Sequence, residues 1–589
     1  MNNWPQHALA VDDVYHFNPT TFLNVRYAGY RLGIGITPKP ESIGFDLTTL
    51  GLPRYLNDAT GARERTFPHI TVQNYFSTIS EWYVHNHQNH NFEGHLTAIR
   101  GNHSLRLGAD ARQYRTFHYE LGRTNSGSFQ FNNTWTLGPF NTSPGSPKGQ
   151  GLASMLLGLP TGGLVDRNAS YAEQSTEYSF YIQDDWRLTP RLSLNLGIRY
   201  EIESPLTERF NRSVRGYDFA TPNPLDGAAR ANYAAAPIPE LPVSQFRFIG
   251  GLTFPGVGGQ PRELWNRDTN NFMPRAGVAF QLTPKTVLRG GWGMFFGPLG
   301  ARRVDVIQPG FSQSTPLIPS LDNGLTFVAT LADPFPDGIQ TPPGASQGLL
   351  TFAGRSISFF DENPRAPYHH RWQFSIQREF PQRLLLEVGY VGNSGEGLET
   401  TRDFRPLPLN YLSRSLVRDQ TNIDYLGAQV ANPFFGLLPG TGLAGRTVSR
   451  SYLLASADYP GFTGMTTMDN SGYSRYHALT TKVEKRFGAG WTFNAAYTWS
   501  KNMEALSRLN GQFDDLHYVV SDQDRAHRIV LSGIWELPVG RGKQFLGSTG
   551  GAVNAILGGW QLQGIYTGQG GQALAWGNIF FRGASVHDI

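Results

Sequence analysis

Tyr178-Ser-Phe-Tyr-Ile-Gln-Asp-Asp-Trp-Arg-Leu-Thr-Pro-Arg-Leu-Ser-Leu-Asn-Leu-Gly-Ile-Arg-Tyr-Glu201 is the stretch that decides the fold. In its second half Leu192, Leu194, Leu196, Ile198 and Tyr200, continued by Ile202, fall on one face of an extended strand. Arg191, Ser193, Asn195, Gly197, Arg199, Glu201 and Glu203 fall on the other. Successive strand side chains point to opposite sheet faces, so one face is apolar and the other polar and charged. The first half repeats the pattern, with Tyr178, Phe180 and Ile182 against Ser179, Gln183 and Asp185. Thr189-Pro190 joins the halves. Each arm runs about 10 residues, the length with which a tilted strand crosses a bilayer.

The same unit recurs. Tight turns fall at Asn18-Pro19-Thr20, Gly101-Asn102, Thr189-Pro190, Thr283-Pro284, Pro381-Gln382 and Gly488-Ala489-Gly490. Pro presets φ and Gly tolerates positive φ, as turns require. After Thr283-Pro284, Leu288, Trp292, Met294 and Phe296 share a face, and after Pro381 Leu384, Leu386, Val388 and Tyr390 do. Around Gly488, Val483 and Phe487 lead into Trp491, Phe493, Ala495, Tyr497 and Trp499, set against Thr492, Asn494, Ala496, Thr498 and Ser500. A seventh pair is expected from Arg528–Leu537 and Trp560–Gln569, with a longer Gly-rich link. Long irregular stretches are expected at 32–90, 116–177, 205–273, 298–369, 394–474 and 501–526. Soluble domains seldom use loops beyond about 15 residues. Short turns on one side and long loops on the other describe an all-β, antiparallel transmembrane β-barrel, with roughly 14 or 15 spanning strands, periplasmic turns and extracellular loops.

Composition agrees. The 589 residues hold 67 Gly, 38 Phe, 25 Tyr and 12 Trp, with only 16% charged, which favours strands over helices. No run of 18 apolar residues is present, so no transmembrane helix is expected, although barrel strands give a weak hydropathy signal. Mean hydropathy is −0.34. The absence of cysteine removes disulfides, zinc–cysteine sites, iron–sulfur clusters and thiol catalysis. A net charge of +4 without a Lys/Arg block gives no reason to expect nucleic-acid binding. Trp186, Trp292, Trp372, Trp491, Trp499, Trp535 and Trp560 lie near strand ends, as aromatic girdles do. A soluble propeller, sandwich or solenoid acting as a binding protein remains the alternative, but its links and spacings are shorter and more even.

The hairpin of Tyr178–Glu201 resembles the "Y-x-Q-D-x-W … L-T-L-N-x-G-L-R-Y-E" hairpin of TonB-dependent outer-membrane receptors, and is most similar to the Oar-like members. Further blocks resemble that subgroup in the same order. They are Asn271-Phe-Met-Pro-Arg-Ala-Gly-Val-Ala-Phe280 with Thr286–Gly297, Trp372–Arg378 with Leu386–Gly392, Tyr476–Leu479, Tyr497–Lys501 and Gly558–Tyr566. The resemblance implies an energised importer in the outer membrane of a Gram-negative-type bacterium. Such a receptor has a 22-stranded barrel around a plug, coupled through an N-terminal box to a TonB-type complex, and Oar-like members often carry a small β-sandwich before the plug. The expected partners are outer-membrane lipid, the barrel-assembly machinery and, through N-terminal parts, the energising complex.

Met1-Asn2-Asn3-Trp4-Pro5 has no signal-peptide regions, and Ser585-Val-His-Asp-Ile589 is not a terminal aromatic strand. The expectation is that 1–589 is a barrel region without signal peptide or plug, cut at both ends, whose unpaired edges make the isolated polypeptide aggregate. A passive pore or surface adhesin barrel is the alternative function. The substrate is open among iron chelates, glycans and peptides.

No catalytic constellation emerges, so the protein is read as not an enzyme and without cofactor or metal. Gly440-Thr-Gly-Leu-Ala-Gly445 fits G-x-G-x-x-G but lacks a surrounding strand-to-helix unit. His85, His87, His90 and His95 match no zinc spacing and are read as a polar loop entering a strand, with the same reading for His369-His370. Asp184-Asp185 sit on a strand, where neighbours face opposite ways, and Asp514-Asp515 lie in a loop. The candidate substrate-facing residues are the lumen-side charges Arg106, Asp110, Arg112, Arg199, Glu201, Arg289, Glu387, Lys482 and Glu484. Their plainer role is to solvate a lumen and balance one another.

Overall fold

Every second side chain of the hairpins is apolar, and this alternation makes the wall. The computed structural model describes residues 2–574 except 63, 79–81, 121–123, 139–142, 146–147, 301–305, 323, 456–457, 489, 510 and 514. Ala489 of the sixth turn, Asp514 and the terminal Ser585–Ile589 therefore lie outside the described residues.

Among the described residues, fourteen long strands form one antiparallel sheet in chain order. They are β1 (Gln6–Asn18), β2 (Thr21–Ile36), β3 (Tyr83–Arg100), β4 (His103–Glu120), β5 (Tyr171–Thr189), β6 (Leu192–Glu203) and β7 (Asn271–Thr283). Then come β8 (Thr286–Phe296), β9 (Tyr368–Phe380), β10 (Leu384–Asp403), β11 (Gly464–Gly488), β12 (Trp491–Ala505), β13 (His527–Glu536) and β14 (Gln561–Gln569). Each pairs with the next. Among the described residues no pairing joins β14 to β1. The seven hairpins fall where the turn residues place them, including the longer seventh link.

The register fixes the faces. Ile182 lies opposite Ile198 and Tyr181 opposite Arg199. Tyr178, Phe180, Ile182, Leu196, Ile198, Phe272, Trp292, Phe374, Ile376, Trp499 and Trp535 are large apolar side chains left exposed on the outward face. An apolar band of this extent on a polar-lined sheet is a lipid-facing surface. The turns are capped locally: Thr189 Oγ1 accepts from the backbone N–H groups of Arg191 and Leu192 at 3.2 and 3.0 Å, which competes with strand continuation. Two strand glycines are covered by a cross-strand ring. A Cβ at Gly108 would meet the Tyr181 ring at 2.3 Å, and one at Gly392 the Trp372 indole at 2.2 Å.

The strands run further than the apolar alternation. Residues 83–90, 116–120, 171–177, 394–403 and 464–474, expected as irregular, continue the ladder beyond the apolar band. Both faces are polar there, so the sequence loses its period while the backbone hydrogen bonds persist. His85, His87, His90 and His95 accordingly stand on β3 and His369-His370 on β9, not in loops.

The long loops are also not irregular. They contain the well-packed core of the molecule. The largest cluster joins Tyr233, Phe246, Phe248, Leu252, Phe359, Phe434, Leu453, Phe462 and Met465 from three different loops and the outer end of β11. A second joins Leu47, Leu56, Val72, Phe129, Phe131, Val165, Leu317 and Phe335 around a five-stranded sheet of loop segments. A third, with Trp265, Leu206, Leu264 and Phe360, sits at the rim against Tyr171 of β5. Ser356–Phe360 pairs in parallel with Gly464–Met468 and ties this cap to the wall.

Candidate functional site

The inner face of β3 to β7 concentrates charge because the outward positions are taken by apolar residues. Arg106, Asp110 and Arg112 alternate on β4, opposite Gln183, Ser179 and Glu177 of β5. Ser179 and Tyr181 in turn face Glu201 and Arg199 of β6, and Arg199 pairs with Met273 beside Arg275 on β7. Register alone therefore gathers the group around Asp110.

Asp110 is its centre. Arg199 Nη2 lies 2.8 Å from one carboxylate oxygen and Arg112 Nε 3.4 Å from the other. Ser179 donates its hydroxyl to Asp110. Arg199 also reaches Glu201 at 2.5 Å and lies over the Tyr181 ring. Arg112 is 3.6 Å from Glu177. The Asp110 side chain is only 6% exposed and that of Arg199 14%. Charges this far from water persist only when paired. Asp110 and Glu201 pair with Arg112 and Arg199, so the patch offers fixed donors and acceptors of both signs. It lines a cavity of about 410 Å³ with Glu93, His95, Arg106 and Gln183.

All nine lumen-side charges expected from the sequence lie on the inner face, but they do not form one site. Arg106, Asp110, Arg112, Arg199 and Glu201 share the central cavity. Arg289 lines a separate cavity of about 560 Å³ toward the turns, with Asp185, Ser193, Asn195 and Gln373. Glu387 stands opposite Lys482, which lies 3.1 Å from Glu484, on the inner face of the more distant strands β10 and β11. Glu177, Ser179, Tyr181 and Arg275 were missed. Glu177 continues the inward parity of Ser179 beyond the stretch counted as membrane-spanning, and that parity was the signal.

A third cavity, about 530 Å³, lies at the outer rim, where Tyr83, His85, His87, His118 and Tyr171 meet Gln308 and Ser312 of the cap. His85 stands 3.0 Å from His118 through their Nδ1 atoms and touches His87 through Nε2, and His87 Nδ1 meets Thr116 Oγ1 at 3.1 Å. Among the described residues no group of three or more His, Asp or Glu side chains is arranged around a metal ion. Nearby, Glu203 accepts from the backbone N–H groups of Leu299 and Gly300 at 2.7 and 2.8 Å, drawing a loop across the inner face. Asp184 and Asp185 face opposite sides: Asp184 takes His103 at 2.7 Å, and Asp185 accepts from Asn195. Gly440–Gly445 is loop, with Gly440 offering its carbonyl to Gln340 and Arg355.

Comparison with known proteins gives one family and a set of distant structures. A family model described as an outer membrane beta barrel domain matches residues 1–578. No curated protein sequence matches the chain. Among solved structures, the outer membrane transporter YddB from Escherichia coli aligns with TM-score 0.43 and 9% identity, over 91% of this chain and 49% of that one. The pyoverdine outer membrane receptor FpvA from Pseudomonas aeruginosa PAO1 aligns at 0.39 and 10%, over 91% and 49%. The ferric yersiniabactin uptake receptor FyuA from Yersinia pestis aligns at 0.39 and 7%, over 91% and 47%. The chain spans about half the length of these structures.

Proposed function

The chain belongs to the outer membrane beta barrel domain family, and from that premise we propose that it forms the wall and outer cap of a TonB-dependent transporter of the Oar-like kind, which takes up a polar solute. It resides in the outer membrane of a Gram-negative bacterium. The observation that carries the reading is the inner face: three polar cavities follow one another from the rim, through the Asp110–Arg199 cluster, to the turn end at Arg289. A solute descending this face exchanges water for fixed hydrogen-bonding groups at each level. The nine lumen-side charges are proposed as its contacts, those around Asp110 as the central station. The resemblance of the Tyr178–Glu201 hairpin and its companion blocks supports energised uptake, with the outer-membrane lipid as solvent for the wall and the barrel-assembly machinery as the inserting partner.

The test is depletion of solutes from a defined mixture of iron chelates, oligosaccharides and peptides by cells expressing the full-length gene. Depletion of one class only when the energising complex is also present is the expected result. Depletion that persists without that complex identifies a passive pore, and no depletion at all contradicts transport.

A further inference from the structure

Within the cap, away from the lumen wall, lies a cavity of about 430 Å³ bounded by segments of the third, fourth and fifth loops. Among the described residues Arg355 is the one charged residue in its lining. The guanidinium is half-buried and every hydrogen bond it makes goes to a neutral oxygen. Nη1 donates to the Ser314 carbonyl at 2.5 Å, while Nη2 donates to the Gln340 side-chain oxygen and to the Gly440 carbonyl at 3.4 Å. Nε has no partner among the described residues. Among the described residues no carboxylate lies within ion-pairing distance of Arg355, and burial lowers its affinity for its proton. A cation taken from water without a counter-ion is costly, and 46 Asp and Glu residues in this chain leave this one unmatched.

We propose that this cavity is a binding site for a small organic carboxylate, with Arg355 as the charge that receives it. The Nη contacts account for the position of Arg355 as a tie between loops. They leave the Nε–H and a single Nη1 hydrogen on the opposite edge of the guanidinium, so the Nε–H is the donor that a carboxylate oxygen takes in one charge-assisted bond. Gln347 and Thr341 add a side-chain amide and hydroxyl to the same lining, neither bonded elsewhere among the described residues. Leu225, Phe352, Leu437 and Pro439 give apolar walls for the body of the molecule. The volume suits one small organic ligand. A single fixed cation matches a single negative charge, so a carboxylate is favoured over a phosphate dianion. The site stands on the cap alone and does not require that the protein transports its ligand.

The test uses the full chain in detergent, with 3-phenylpropionate, 3-phenylpropionamide, phenyl phosphate and a short peptide as free acid and as amide. Calorimetry is expected to show each free acid binding at least tenfold more tightly than its amide. Which acid binds better separates a free acid from a peptide terminus as the source. Arg355→Gln is expected to lose that tenfold, with Arg355→Lys retaining part of it. Because Arg355→Gln also removes a tie between loops, a second measurement uses the unaltered protein: 3-phenylpropionate should slow phenylglyoxal modification of Arg355, read by mass spectrometry, and the amide should not. Equal binding of acids and amides, tighter binding of phenyl phosphate, or labelling unaffected by the acid overturns the proposal. Binding confirmed without solute depletion by cells leaves this site standing and removes only the transport reading.

Discussion

Replacing Ile198 by arginine should destabilise the wall far more than adding a charge at its inward neighbour. Ile198 points outward, 45% exposed in the absence of lipid, with Ile182 directly across on β5 and Pro274 on β7. It is the sixth residue beyond Leu192 at the turn. At roughly 3.3 Å per residue and a tilt near 40°, that places it about 15 Å from the turn end, close to the middle of an apolar band about 25 Å tall. Arginine at the midplane of a barrel wall costs about 2–4 kcal/mol. The half-exposed isoleucine gives up about 1 kcal/mol of apolar contact in addition, so Ile198→Arg should cost about 3–5 kcal/mol. Gln183→Lys places a charge on the inner face opposite Gly197 of β6 and Arg106 of β4 and, even with that like charge across from it, should cost no more than about 1 kcal/mol. Reversible urea unfolding from lipid vesicles measures both. Equal losses, or a greater loss for Gln183→Lys, would refute the assignment of faces.

Three further outcomes follow from the packing. Phe246 stacks on Tyr233 with ring centroids 4.4 Å apart and is fully buried in the cap; Phe246→Ala should cost the cap about 3–5 kcal/mol, seen as rapid proteolysis within the loops while the heat-modifiable mobility of the wall on gels stays unchanged. Asp110→Ala strands two arginines and should cost about 3 kcal/mol, the low end for a broken buried pair because the cavity admits water; the double variant with Arg199→Ala should recover part of that, and simple additivity in the cycle would contradict the pairing. Glu240 is held below its ordinary value of 4.5 by the Tyr425 hydroxyl and, less strongly, by Arg450. A carboxylate with a depressed folded-state value contributes stability that is complete above about 4.5 and is lost as pH falls through the folded value; hydrogen exchange around Gln420–Gly427 should therefore rise on acidification below pH 4.5 in the native protein and be flat in Glu240→Gln.

The wall was legible because lipid on one side and water on the other impose a period of two, and residues such as Leu194 and Asn195 record it directly. Turn residues at Thr189-Pro190 and Thr283-Pro284 then set strand order, and parity assigned the lumen charges to one face. Parity also could have found Glu177, had the strand been followed past the apolar band, and Tyr181, an aromatic residue at an inward position within it. Where both faces are wet, as at His85–Asn91, alternation carries no information, and a strand reads as a polar loop. The cap was illegible for a different reason. Its core draws Phe246, Phe434 and Phe462 from loops up to about two hundred positions apart, with no local period. Nothing in a Pro- and Gly-rich stretch signals which distant ring it will meet. Arg355 was passed over because the lack of a counter-ion is a property of the assembled cap.

The central claim is that lipid touches alternate side chains of the wall, and single nitroxide labels at each position from Ser193 to Arg199, in protein reconstituted in vesicles, test it most directly. Accessibility to oxygen dissolved in the bilayer should peak at Leu194, Leu196 and Ile198, and accessibility to a water-soluble nickel chelate at Ser193, Asn195, Gly197 and Arg199. Seven labels that all report the same aqueous surroundings in a folded sample would contradict the account.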